Sequence, residues 1–247
     1  LERMGVKVVD ERPHMIGPED RTAVWLHDFG MTYEADVELE VERIKEIFQE
    51  TFAKDSHGEI ESDDFNRLVL RARLNWRDIT ILRACCKYLR QAGFNFSQTY
   101  MEHTMARHPR IAGMLVELFH ARFDPAQSRR GVDRAGDIAQ EIEQALDQVA
   151  NLDEDRILRQ FLAVIQATLR TNYYQKGPDG QPKAYLSFKF NPHKVPGLPE
   201  PRPMFEIFVY SRRMEGVHLR GGKVARGGIR WSDRLEDFRT EVLGLMK

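Results

Sequence analysis

The residues best suited to chemistry crowd into one stretch, Arg220-Gly221-Gly222-Lys223-Val224-Ala225-Arg226-Gly227-Gly228-Ile229-Arg230-Trp231-Ser232-Asp233-Arg234. Two glycine pairs between an expected strand and an expected helix would expose backbone N–H groups and let a ligand come close. Five basic side chains share these fifteen residues, and only Asp233 opposes them. From Arg202 to Arg234, eight basic residues stand against Glu206, Glu215 and Asp233. A small anion is the ligand such a stretch would take. A solvated turn carrying surface arginines is the plainer alternative. Phosphate-binding signatures are not met: Gly222 and Gly227 are spaced like a P-loop, but Gly228 stands where its lysine belongs. No G-x-G-x-x-G occurs in the stretch either, so a nucleotide site within it is not supported.

Other reactive residues read as structural. His103 and His108 are five apart, on different helix faces, and no H-E-x-x-H is present, so no metal site is expected. His27 and Asp28 are neighbours on an expected strand and would point to opposite sides. The methionines from Met101 to Met114 recur at helical spacing and suit a core. Cys85 and Cys86 are adjacent, a geometry that disfavours a disulfide, and they point to a reducing compartment and hence the cytoplasm.

The elements that must position this chemistry fall into three blocks. Up to about Tyr33, Val6–Val9 and Ala23–Phe29 read as two strands, with Pro13, Gly17, Pro18 and Asp20 supplying a turn. Two strands do not make a stable domain alone, so this block reads as the tail of an α+β unit. From Asp36 to about Tyr174 the pattern is helical. Val37, Val41, Ile44, Phe48 and Phe52 form an apolar stripe; Ser62, Asn75 and Ser97 can cap helices, and Pro109 interrupts one. Gln127–Gly131 reads as a polar linker, and a last helix should follow Asp153, with Ile157, Phe161, Ile165 and Leu169 inward. Residues 133–156 carry eight acidic and two basic residues, which suits a solvated helix face. In the third block Leu186, Phe188 and Phe190 alternate with polar residues as in a half-buried strand. Phe205–Tyr210 is almost continuously apolar and suits a strand covered on both faces. A turn at Glu215-Gly216 should lead into a strand at Val217–Arg220, and Ser232 can cap a helix bearing Leu235, Phe238, Val242 and Leu245.

Composition bounds the function classes. With 37 basic and 38 acidic residues the net charge is −1, without the basic excess of a general nucleic-acid binder. No apolar run is long enough to span a membrane. The sequence opens at Leu1 and stops at Lys247 inside a helical pattern, which reads as an internal slice of a longer protein.

Arg226-Gly227-Gly228-Ile229-Arg230-Trp231, followed by Glu241-Val242-Leu243-Gly244-Leu245-Met246-Lys247, resembles the glutamate dehydrogenases, and the fuller stretch resembles their large NAD-specific bacterial members. Asp10-Glu11-Arg12-Pro13, His27-Asp28-Phe29-Gly30, Phe65–Leu70 and Lys87–Gln91 are similar too. The resemblance implies an α+β fold that is mostly α. Residues 1–35 would end an ACT-like regulatory module, 36–176 would form a helical region, and 177–247 would open the catalytic substrate lobe. It implies that Arg226, Gly227, Gly228 and Arg230 bind a substrate carboxylate, with Arg226 at a position where the family more commonly has lysine. It further implies L-glutamate and 2-oxoglutarate as substrates and a homo-oligomer. NAD would be bound by a domain beyond Lys247, where the catalytic residues would also lie, so the slice alone should be inactive. Lys247 itself reads more simply as a surface lysine than as a substrate ligand. The rival reading is a non-enzymatic helical module whose basic stretch binds an acidic partner or RNA. Trp231 alone is a poor stacking platform for RNA.

Overall fold

The protein is described by a computed structural model covering residues 1–17, 22–33, 40–231 and 238–246, the side chains of 128–132 and 231 aside. Strands β1 (Lys7–Ile16) and β2 (Val24–Thr32) pair antiparallel, Lys7 opposite Thr32 and Ile16 opposite Val24. Pro13 does not turn the chain; it lies within β1, opposite His27. A two-stranded ribbon leaves each strand an unpaired edge, so a residue without N–H can be accommodated there. Pro18 and Asp20 lie outside the described residues, as does Val37.

Helix α1 (Val41–Ser56) follows, with Ile44 buried while Val41 and Phe52 stay exposed. The next helical start is set by Asp63 rather than Ser62: Asp63 Oδ1 accepts from Phe65 N at 3.2 Å, and Ser62 instead donates to Asp55. A 3-10 turn at Asp64–Arg67 leads into the short α2 (Leu68–Arg71). Asn75 caps α3 (Trp76–Gln91) by accepting from Arg77 and Asp78 N–H groups, and Gly93 beyond its end has φ +79°. Ser97 caps α4 (Gln98–Arg107), and Pro109 opens α5 (Pro109–Phe123) at its first turn. Helix α6 (Ser128–Leu146) already begins within the expected polar linker. Polarity alone does not break a helix, and Gly131 there costs only about 1 kcal/mol. The break comes earlier, where Asp124 accepts from the Ala126 and Gln127 backbones. The acidic residues of α6 are exposed around a buried stripe of Ile138, Ile142 and Leu146. Asn151, two residues ahead of Asp153, caps α7 (Leu152–Ala167).

A five-stranded antiparallel meander then forms in chain order: β3 (Thr168–Thr171), β4 (Leu186–Phe190), β5 (Phe205–Tyr210), β6 (Met214–Gly221) and β7 (Val224–Trp231). Leu169 belongs to β3 and is exposed, not inward on a helix. In β5 only Glu206, Phe208 and Tyr210 are buried; Phe205, Ile207 and Val209 lie on an open face, so the strand is covered on one side. The turn before β6 falls at Ser211–Met214, where Ser211 N donates to Met214 O, and Glu215-Gly216 lie inside the strand. Helix α8 (Phe238–Gly244) packs on β6 and β7; Ser232 and Leu235 lie outside the described residues.

One contiguous core runs from Met4 through the helices to Leu243. Helix α3 is its axis: Tyr88 stacks on Phe190 with ring centroids 4.3 Å apart, and Cys85 and Cys86 are buried free thiols. Burial pushes the Cys85 thiol up to about 12, away from thiolate chemistry. No described helix is long and apolar enough to cross a membrane. The fold is α+β and mostly helical, with two separate sheets.

Candidate functional site

The glycine-rich basic stretch is a β-hairpin, not a loop running from strand to helix. Gly221 pairs with Val224 across the two-residue turn Gly222-Lys223, and Gly222 takes φ +63°. A positive φ at the first central position alone is the type II′ turn that right-twisted strands favour. Beyond the turn Arg226, Gly227, Gly228 and Arg230 stand directly opposite Leu219, His218, Val217 and Glu215. Residues directly opposite each other share a face. Arg226, Gly228 and Arg230 therefore lie with buried Leu219, Val217 and Glu215 on the helix-covered face, while Gly227 and Ile229 lie on the open face with His218.

The hairpin register also decides which backbone groups a ligand can reach. The pair closing a two-residue turn exchanges hydrogen bonds, and pairs then alternate along an antiparallel ladder. By that count the N–H groups of Arg226, Gly228 and Arg230 point to β6, and that of Gly227 points away. Among the described residues β7 is the last strand of its sheet, so the Gly227 N–H faces an unpaired edge. The Arg226 side chain is exposed beside it, its Nη1 donating to the Ala225 carbonyl at 3.1 Å. The expected pair of glycine donors is thus one donor.

Packing accounts for both glycines. A Cβ on Gly227 would come within 2.9 Å of the Val217 carbonyl and 3.2 Å of His218 Cα, both backbone. A Cβ on Gly228 would sit 3.2 Å from Phe238 Cζ of α8. Arg230 covers the same ring, its guanidinium 5.2 Å from the Phe238 centroid, and its Nη2 lies 3.4 Å from Glu215 Oε2. With its side chain 10% exposed, Arg230 is turned into the protein and Arg226 out of it.

Sequence reasoning missed the polar groups beneath the hairpin. Glu206 and Glu215 are 1% and 2% exposed, on the inner face of the sheet. Arg239 of α8 grips Glu206 with Nε and Nη2, and Tyr88 OH donates to the same carboxylate at 2.9 Å. Gln91 Nε2 donates to Glu215 at 2.8 Å, and Gln91 Oε1 accepts from Arg239 N at 3.2 Å. Burial raises the Glu215 carboxyl above its ordinary range, with Arg230, Gln91 and Lys87 pulling the other way. The signal was available: Glu206 has the parity of Phe208 and Tyr210, so an inward strand face had to bury a carboxylate.

The described residues gather no group of three potential metal ligands. The glycine pairs close or line an antiparallel hairpin, so they do not fit the strand–turn–helix cradle of a dinucleotide.

Comparison with known proteins bears on this hairpin directly. The family model described as bacterial NAD-glutamate dehydrogenase, catalytic domain, matches residues 141–247 and so includes it. Glutamate dehydrogenase helical motif 3 matches residues 60–125, and the glutamate dehydrogenase ACT3 domain matches residues 1–44. The NAD-specific glutamate dehydrogenases of Pseudomonas aeruginosa, Halomonas elongata and Mycobacterium tuberculosis are 50%, 48% and 45% identical across the whole chain. The chain belongs to the bacterial NAD-glutamate dehydrogenase family. It spans about 15% of the length of those three glutamate dehydrogenases. A likeness of 28% over 148 residues extends to the NAD-specific glutamate dehydrogenase of Neurospora crassa.

Proposed function

We propose that the full-length protein is an NAD-dependent glutamate dehydrogenase and that Arg226 with the N–H of Gly227 forms one wall of its dicarboxylate site. The overall reaction takes L-glutamate, oxidised NAD and water to 2-oxoglutarate, ammonia, NADH and a proton. The observation that carries the site is an exposed guanidinium beside an outward N–H at the open edge of a sheet, in the stretch matched to the catalytic domain. A carboxylate there would accept a charge-assisted bond from Arg226 and a second bond from the Gly227 backbone. Gly228 and Arg230 belong to the site as its frame: Gly228 lets α8 close over β7, and Arg230 ties β7 to Glu215. NAD and the reacting groups would be held by residues outside the hairpin, since its glycines do not fit a dinucleotide.

The same reading makes residues 1–35 the end of an ACT-like module, 36–176 a helical region and 177–247 the start of the substrate lobe. Support comes from the order of the three family matches and from the separation of the two sheets. It takes the intact protein as a cytoplasmic homo-oligomer whose partners are its substrates, not nucleic acid or a membrane.

Kinetics on the full-length enzyme test the site. A hydrogen bond to a charged group contributes about 1.5–3 kcal/mol, so Arg226→Ala should raise the KM for glutamate by about 10- to 150-fold. Arg226→Lys keeps the charge and should recover most of the loss, short of the bidentate fork. A KM and kcat within twofold of wild type for Arg226→Ala would remove this hairpin from the substrate site.

A further inference from the structure

Two carboxylates lie buried on the inner face of the five-stranded sheet, and each meets one arginine and one polar side chain of α3. Glu206 receives Arg239 and Tyr88; Glu215 receives Arg230 and Gln91. Tyr88 and Gln91 are three residues apart, hence on one face of the helix. Gln91 joins the two halves, because its amide donates to Glu215 and accepts from the Arg239 backbone. Apolar contacts would hold helix and sheet together as firmly, since a buried ion pair is weak evidence for stability. Directed hydrogen bonds do something apolar contacts do not: they fix the register and angle of what they hold.

What they hold is strand β7. Arg230 is anchored on its helix-covered face by Glu215 and lies over the Phe238 ring. Arg226 is four residues back on the same face, about 13 Å along the strand, and its side chain is exposed. The anchored residue thus lies on the same face of the same short strand as the guanidinium assigned to the substrate.

We infer that Glu215 and Gln91 are positioning residues of the glutamate site, which fix β7 through Arg230 and so set the place of Arg226 and the Gly227 N–H. The inference rests on the proposed role of Arg226. It also gives α3, in the helical region, a direct hold on the catalytic hairpin.

The test uses the full-length enzyme with Glu215→Gln, Gln91→Met and Arg226→Ala, each assayed for glutamate KM, NAD KM and kcat below its melting temperature. A variant that is only less stable loses active enzyme, which lowers kcat and leaves both KM values in place. Displacement of β7 instead raises the glutamate KM and leaves the NAD KM alone. We expect a rise of about five- to tenfold for Glu215→Gln and a smaller one for Gln91→Met, which keeps the ion pair and nearly the same side-chain length. Should Glu215→Gln fail to fold, Gln91→Met decides. If Arg226→Ala raises the glutamate KM while the folded positioning variants stay within twofold of wild type, the inference is wrong and the site stands. If Arg226→Ala itself has no effect, the site assignment fails first and the inference with it.

Discussion

The two adjacent glycines of β7 are equivalent in sequence and unlike in structure. Gly227 faces the His218 and Val217 backbone, which cannot yield without breaking the ladder, whereas Gly228 faces the tip of the Phe238 ring. Gly227→Ala should therefore cost about 1–3 kcal/mol, the range for forced overpacking, and Gly228→Ala less, because a ring can shift. Urea unfolding of the two variants checks the order; equal midpoints would mean the hairpin backbone relaxes freely. These roles were not legible beforehand. The glycine pairs with their arginines pointed correctly to a place where a ligand and backbone could meet, but they read as a loop because glycine spacing carries no register. Register comes from the partner strand, and the pairing of Glu215 with Arg230 shows that Arg230 is turned inward among the described cations of the stretch.

Elements followed the sequence where local chemistry dominates. Asn75 and Ser97 cap as their positions predict, since a cap needs only its own next three residues. The errors are of the same small kind: Asp63 in place of Ser62, and Asn151 in place of a start after Asp153, where two capping residues stood close together. Contacts between elements were beyond reach, and the tie between α4 and α7 is an example. His108 Nε2 lies 2.7 Å from Glu154 Oε2, and Arg107 binds the other oxygen, across 46 and 47 residues of sequence. Burial alone would raise the Glu154 carboxyl, but the His108 and Arg107 contacts outweigh it and hold it below its ordinary value. A depressed folded pKa stabilises the fold at pH above the unfolded value of about 4.5, and the contribution disappears as pH falls through the folded value. Glu154→Gln should thus lower the melting temperature most at neutral pH, with the gap to wild type closing below about pH 4.5. A gap independent of pH would assign the contact to packing instead of charge.

At the scale of the whole molecule the division of labour lies in where the core ends. Helices and five-stranded sheet share one core, so the helical region and the hairpin site can act as one body, whereas β1 and β2 hardly enter it. Val9 and Trp25 are 64% and 58% exposed, and Met15, Ile16, Val24 and Leu26 are exposed too. Met15 and Trp25 lie on one face of the ribbon and Ile16, Val24 and Leu26 on the other, so apolar surface is left open on both sides, as where other surfaces cover it. The sequence announced the strands, yet their alternation could not show that neither face would be covered by the rest of this chain. A two-stranded ribbon is marginal by itself, and local opening needs little free energy where few buried contacts must break. In residues 1–247 the amides of β1 and β2 should therefore exchange with solvent at least about a hundredfold faster than those of α3, whose residues from Ile79 to Leu89 are almost all buried. Hydrogen exchange followed by mass spectrometry on peptides 7–16, 24–32 and 76–91 reads the ratio. The full-length protein supplies the second arm. If the ribbon is the edge of an ACT-like module, its amides become protected there while those of α3 change little. Fast exchange of the ribbon in both would leave it an exposed arm and take the regulatory module out of the reading.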